Sequence, residues 1–342
     1  MSSAAPARSL LRVTGLSVSY RVRVGRGRAA LLHAVRDVSF ELESGQTLGI
    51  VGESGSGKSS IARALLRLIP ASSGQACFDG QDLLQLQGAP LQRMRRSLQL
   101  IFQDPLASLD PRMSAEEAVS EPLRVFEPAL SAAERSARTL AMLEAVGLSA
   151  RYLHRLPHEL SGGQAQRIAI ARALIVRPRL LFCDEPLSSL DVSIKSQIAN
   201  LLMQLQAQLG LSMVFISHDL AAVRFACSRV LVLYLGRVME LADRDALFSA
   251  ARHPYTRALL QSAPLPDPRL VRQRPAAALG GEIPSPLAPP SGCVFRTRCP
   301  HAIDRCAAQI PALRRVGDSL VACHRAEEIA AATLTSCAPP GR

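Results

Sequence analysis

The chain of 342 residues has no tryptophan, only four tyrosines and, among forty Lys and Arg, just two lysines, Lys58 and Lys195. So few aromatics leave little platform for stacking the bases of single-stranded nucleic acid. No run approaches the ~18 to 20 consecutive apolar residues of a membrane-spanning helix. The N-terminus lacks the apolar core and small-residue cleavage site of a signal peptide. These absences predict a protein that stays in the cytoplasm, and a lysine that survives so strong a bias toward arginine invites inspection. With 48% hydrophobic and 20% charged residues, the composition suits a globular protein of one large domain or two smaller ones. It excludes a disordered chain, a collagen and a small disulfide scaffold.

Forty Lys and Arg against twenty-eight Asp and Glu leave a net charge of +12. That excess raises nucleic acid and an anionic membrane surface as partners, beside the plainer reading of scattered, solvated arginine. Charge by itself does not choose. Eight cysteines in a chain without a secretion signal should be reduced thiols, so clustering among them points to metal rather than disulfides. Cys293, Cys299, Cys306 and Cys323 do cluster. Cys77, Cys183 and Cys227 sit in apolar surroundings like small core residues, and Cys337 lies in a polar tail. The clustered four are separated by five, six and sixteen residues, unlike the short Cys-x₂-Cys knuckle of zinc sites. Spacing alone therefore leaves metal ligands and free thiols open.

Along the chain, Leu16 to Tyr20 and Val35 to Leu42 alternate apolar and polar residues, which predicts strands with one buried face. Thr47 to Val51 reads as a short buried strand running into a glycine-rich turn, followed by a helix over Ser59 to Leu68. Met113 to Leu156 is rich in Ala, Glu, Arg and Leu and reads as a helical insertion, with Ser131 as the N-cap of Ala132 to Val146 and Gly147 as its stop. Helix Gly163 to Val176, strand Leu180 to Cys183, helix Ser193 to Leu209 and strand Ser212 to Ser217 follow. Strands near Val230 to Tyr234 and Arg237 to Leu241 complete an alternation that predicts a mostly parallel sheet. The expected division is a nucleotide-binding unit over 1–262 with a helical subdomain at about 113–176, a Pro-rich linker over 263–290, a Cys-rich module over 291–325 and a tail over 326–342.

Gly52-Glu53-Ser54-Gly55-Ser56-Gly57-Lys58-Ser59 has the spacing Gly, four residues, Gly, Lys, Ser between a strand and a helix, the pattern of a phosphate loop. Its glycines permit a tight turn whose N–H groups face phosphates, Lys58 can bridge the β and γ oxygens, and Ser59 can ligate Mg²⁺. The strand Leu180 to Cys183 ends in Asp184-Glu185, at the sheet edge where α/β ligand sites lie. There Asp184 can hold the Mg²⁺ shell, and Glu185 can polarise a water attacking the γ-phosphate. Leu160-Ser161-Gly162-Gly163-Gln164 opens a helix, so Ser161 is an N-cap candidate whose neighbours expose backbone donors at a positive helix end.

Taken in order, these motifs resemble those of ABC-type ATPases over roughly residues 10 to 262. Gly52 to Ser59 looks like Walker A, Leu160 to Gln164 like the signature loop, Asp184 and Glu185 like Walker B, and Ser189-Leu190-Asp191 like the D-loop. Tyr20 looks like the aromatic that stacks on adenine, Gln103 like the Q-loop glutamine and His218 like the switch histidine. The resemblance implies ATP contacts at Tyr20, Gly52, Ser54, Gly55, Ser56, Gly57, Lys58, Ser59, Ser60 and Asp184, Mg²⁺ at Ser59, Gln103 and Asp184, and catalysis by Glu185, His218 and Gln103. It also implies a head-to-tail dimer in which Ser161, Gly163 and Gln164 complete the partner's ATP site. The fold implied is an α/β P-loop ATPase with an antiparallel β subdomain and a helical subdomain, carrying the small Cys-rich C-terminal module.

A narrower resemblance lies in Ile101-Phe102-Gln103-Asp104-Pro105-Leu106-Ala107-Ser108-Leu109-Asp110-Pro111-Arg112-Met113 and in Ile283 through Pro300. It is to the ATP-binding subunits of oligopeptide and dipeptide permeases, particularly the F-type of their two non-identical ATPases. Asp110 departs from the Asn more often expected there. This resemblance implies import of peptides, a second ATPase subunit, two transmembrane permease subunits and, indirectly, an extracytoplasmic solute-binding protein, with the chain peripheral on the cytoplasmic face of a bacterial inner membrane and no nucleic acid bound. It further implies a [4Fe–4S] cluster on Cys293, Cys299, Cys306 and Cys323. The competing class is an ABC ATPase acting on nucleic acid or the ribosome. A non-catalytic regulatory subunit is disfavoured by the presence of Lys58, Glu185 and His218. Nickel chelates, glutathione and opines stand behind peptides as cargo.

Overall fold

A computed structural model describes residues 9–24, 28–262 and 281–329. Two sheets carry it. The first is four-stranded and antiparallel in the order β2-β1-β4-β5, built from β1 (Ser9–Val24), β2 (Arg28–Glu43), β4 (Ser73–Phe78) and β5 (Gln81–Asp82). β1 and β2 run far beyond the segments that alternation predicts, because register shifts between Val13 and Ser19 interrupt the period of two along one continuous pairing.

The second sheet has eight strands. β3 (Thr47–Val51) lies at its centre, with β9 (Arg229–Tyr234) on one side and β8 (Ser212–Ile216), β7 (Leu180–Asp184) and β6 (Leu98–Ile101) on the other. These five are parallel. β10 (Arg237–Asp243), β12 (Ser319–Val321) and β11 (Arg314–Val316) extend the β9 edge antiparallel. β3, β7 and β8 are buried at every position, as parallel strands covered on both faces must be, which is why they read as short, mainly apolar runs with polar residues only at their ends.

Helices cover both faces. α1 (Lys58–Leu65) follows β3 and α2 (Gly88–Ser97) precedes β6. α3 (Ala115–Phe126), α4 (Ala132–Ala145) and α5 (Gly162–Leu174) form the helical region, and each starts with a reciprocal capping box, Ser114 with Glu117, Ser131 with Glu134 and Ser161 with Gln164. α6 (Val192–Leu209), α7 (Leu220–Ala226), α8 (Arg244–Ala250) and α9 (Pro254–Ser262) follow. One core fills the space between the two sheets around α1, with Leu16, Val38, Ile50, Ile61 and Leu231 fully buried, and a larger one lies beneath the helical region.

The C-terminal segment departs from expectation. Residues 291–325, expected to form a small Cys-rich module, are packed onto the cassette. β12 pairs with β10, and Cys293, Val294, Phe295 and Cys306 join the larger core. Phe295 sits against Tyr234, Tyr255 and His253 with ring centroids 5.3 to 5.9 Å apart. Burying these side chains in an existing core removes the need for an independent one. The short helix α10 (Asp304–Ala308) carries Cys306. Residues 263–280 of the Pro-rich stretch and 330–342 of the tail, with Cys337, lie outside the described residues.

Candidate active site

At the C-terminal edge of the parallel strands, a cavity of about 600 Å³ is lined by Tyr20, Leu32, Ala34, Ser54, Gly55, Gly57, Lys58, Ser59, Ser60, Gln103, Glu185 and His218. The loop from β3 into α1 forms its floor. Gly52 has φ +154°, and a Cβ there would lie 2.1 Å from the Leu233 carbonyl oxygen. Gly57 has φ +106°, and a Cβ would lie 2.2 Å from the carbonyl of Ala34. Both positions demand glycine for space as well as for conformation.

Lys58 is buried, and its Nζ donates to the carbonyls of Gly52 (2.8 Å) and Glu53 (3.0 Å). Burial lowers its pKa, and the carboxylates of Glu185, Asp184 and Glu53 work against that shift, so a desolvated cation stands among acids inside the loop. The Ser59 hydroxyl donates to Asp184 Oδ1 at 2.8 Å, which joins the start of α1 to the end of β7. Burial raises the Asp184 pKa, and the Ser59 bond and Arg63 oppose it. A serine hydroxyl and a carboxylate in contact are hard oxygen donors of the kind that hold Mg²⁺, an ion that keeps several waters and takes only one or two protein ligands beside the phosphates. That donor set fits.

Glu185 follows directly with φ +47°, a left-handed conformation costly for a residue with a Cβ and often found where a side chain is aimed at a site. Its N–H donates to the Ile216 carbonyl at 2.9 Å. Its Oε2 accepts from Gln103 Nε2 at 3.2 Å and lies 3.3 Å from His218 Nδ1. Gln103 therefore meets Glu185 rather than the Ser59–Asp184 pair. The side chain of Tyr20 reaches the same cavity and shares a 3.0 Å hydrogen bond with Ser60.

Ser161, Gly163 and Gln164 do not line this cavity. Ser161 Oγ accepts the Gln164 N–H at 3.4 Å, and Gln164 Oε1 accepts the Ser161 N–H at 3.0 Å. Within one chain this loop is a capped helix start. Asp191 is the exposed residue preceding α6 and also stands apart from the cavity.

Residues 35–188 match the family described as ABC transporter, and residues 239–306 the one described as oligopeptide/dipeptide transporter, C-terminal region. An oligopeptide transport ATP-binding protein OppF of Haemophilus influenzae is 49% identical, the alignment covering 92% of this chain and 96% of that protein. The chain belongs to the oligopeptide/dipeptide ABC transporter ATP-binding family. A putative peptide import ATP-binding protein of Brucella ovis is 51% identical over 90% of this chain and 94% of that protein. Among solved structures, a bacterial ABC transporter cassette in dimeric form is 30% identical with a TM-score of 0.62, covering 68% of this chain and 98% of that one. The first family match spans β3 through β7 with the helical region, and the second runs from β10 into α10 of the packed segment.

That segment and α9 bring in site neighbours that no motif marks. Arg298 forms a two-pronged ion pair with Glu53 of the phosphate loop, at 2.7 and 3.1 Å, and Tyr255 Oη accepts the Glu53 N–H at 2.9 Å. The four clustered cysteines are electrostatic neighbours. Burial first, then the other thiols, pushes Cys293 and Cys299 up to about 11, and burial raises Cys323 as well. Among the described residues, no three His, Cys, Asp or Glu side chains are arranged to hold a metal ion. Cys183 and Cys227 are buried core residues, as read, while Cys77 is only half-buried. Among the described residues no helix is long and apolar enough to cross a membrane.

Proposed function

We propose that this chain binds and hydrolyses ATP to power peptide import through a membrane ABC transporter. The carrying observation is the single cavity in which Lys58, the Ser59–Asp184 pair and the Gln103–Glu185–His218 cluster converge, within a chain whose relatives along nearly its whole length are named for peptide transport. In this reading Lys58 and the loop N–H groups bind the phosphates, Ser59 and Asp184 would hold Mg²⁺, which when bound would supply neutralisation of phosphate charge, and Tyr20 and Ser60 face the nucleoside. Glu185 orients and deprotonates the attacking water, and Gln103 and His218 fix its carboxylate and sense the γ-phosphate.

The exposed signature loop supports a head-to-tail dimer in which Ser161, Gly163 and Gln164 complete the site of a second, non-identical ATPase. Two transmembrane permease subunits and an extracytoplasmic solute-binding protein complete the transporter, and the chain sits peripherally on the cytoplasmic face of the inner membrane. The division into cassette (1–262), linker (263–290), Cys-bearing region (291–325) and tail (326–342) belongs to the same proposal. No relative named above supports the alternative, action on nucleic acid or the ribosome.

The test is the assembled transporter in proteoliposomes. ATP hydrolysis should rise with peptide-loaded binding protein and vanish in Lys58→Ala, and hydrolysis indifferent to peptide would overturn the assignment. The four neighbouring thiols, with Arg325 and Arg314 close by to offset thiolate charge, support a [4Fe–4S] cluster there, which would require them to close on one another. Anaerobically purified protein should then carry roughly four irons per chain with charge-transfer absorption; zinc without iron, or no metal, refutes it.

A further inference from the structure

The Arg298 side chain is only 4% exposed, and the Glu53 carboxylate it grips is 20% exposed. Besides the two bonds to Glu53, Arg298 donates to Tyr234 Oη at 3.3 Å and stands over that ring. Its place is fixed by the aromatic cluster: the Arg298 N–H donates to the Phe295 carbonyl at 3.0 Å, and Phe295 is wedged among Tyr234, Tyr255 and His253. Glu53 in turn is held at every polar group. Its carboxylate meets Arg298, its N–H meets Tyr255 Oη, and its carbonyl accepts from Lys58 Nζ. It is also the only acidic residue in the loop from Gly52 to Ser59.

We propose that Arg298, in the C-terminal region, is a positioning residue for nucleotide binding, acting through Glu53 to hold the phosphate loop in its receiving shape and to keep the Glu53 carboxylate off Lys58. Two physical costs follow from losing it. A partly buried carboxylate left without its partner seeks another cation, and the nearest in the loop is Lys58, whose ammonium the phosphates need. The freed negative charge, only partly exposed in the phosphate loop itself, also repels an incoming polyphosphate. Arg298 touches neither phosphate nor the reacting atoms, so its effect belongs in binding.

This inference rests on the ATP site proposed above, and the experiment separates the two. The affinity of the full-length chain for a fluorescent ATP analogue is measured for the parent, R298Q, E53Q/R298Q and K58A, with KM and kcat for ATP taken in the assembled transporter. R298Q should weaken binding on the order of tenfold, with the loss falling on KM rather than kcat. E53Q/R298Q should recover most of that affinity, because no carboxylate is left to compete, whereas a merely structural bond would leave the double variant as weak as R298Q or weaker. Unchanged affinity in R298Q, or no recovery in a double variant that melts cooperatively, overturns the proposal. If R298Q fails to fold, the double variant, lacking any unpaired charge, is read against the parent, and a tenfold deficit there counts equally against it. Failure of K58A to lose nucleotide would refute the ATP site itself.

Discussion

Replacing Glu185 with Gln asks whether its carboxylate does chemistry or only structure. The side chain keeps its length, so the contact to Gln103 Nε2 at 3.2 Å and the position 3.3 Å from His218 can persist. The backbone bond to Ile216 is untouched. Gln suffers the left-handed φ of +47° no more than Glu, so folding stability should move by no more than about 1 kcal/mol. The lost charge acts in two directions on the binding groups. Glu185 helps to raise the pKa of Asp184 and to sustain that of Lys58; without it Asp184 ionises more readily for Mg²⁺ while Lys58 loses one attraction, and the cavity becomes less negative toward ATP. Nucleotide affinity should therefore be kept or rise. Hydrolysis should fall by on the order of 10² or more, the scale of a lost general base, equivalent to ~2.7 kcal/mol or more in the barrier. Phosphate release from the reconstituted transporter reads the rate, and equilibrium titration with a fluorescent ATP analogue reads the affinity. Turnover within a few-fold of the parent would remove Glu185 from the base role, and a matching collapse of affinity would show that the substitution had damaged the site rather than the chemistry.

Ser161→Asp retains a good N-cap for α5 but places a carboxylate where the signature loop would face a partner's γ-phosphate. Nucleotide trapping should then fail at the partner subunit's site while the Lys58 site still loads, and loss confined to the Lys58 site would contradict the head-to-tail arrangement. His253 is buried with Nδ1 accepting the Tyr255 N–H at 3.0 Å, and burial depresses its pKa from 6.5 to about 3. Its contribution to stability is complete above pH 6.5 and is lost as pH falls toward 3, because only the unfolded chain takes the proton; near pH 5 the loss is ~2 kcal/mol. Urea midpoints at neutral and acid pH, compared with His253→Gln, check this, and equal acid sensitivity in the two proteins would refute it.

How far the sequence disclosed this molecule depends on whether a constraint is local. β3, β7 and β8 are legible because strands buried on both faces are apolar along most of their length, with polar residues only at their ends, and α4 because Ser131 and Glu134 bond to each other's backbone across a single turn. α2 has no buried residue, and β4 buries only Ala76 and Phe78; neither carries a period to detect, and neither was read. The ATP site follows the same division. In the phosphate loop the backbone itself selects residue type, since a Cβ at Gly52 or Gly57 would strike a carbonyl, so the chemistry is written in eight consecutive letters. Glu53 and Arg298 are 245 positions apart, and in a chain with forty cationic side chains no local pattern marks the one that reaches the loop. Only the placing of Phe295 among Tyr234, Tyr255 and His253 selects it. The packing of residues 291–325 onto the cassette is hidden for the same reason: their apolar residues are too few for a core of their own, and nothing in that scarcity points to the distant core that receives Val294 and Phe295.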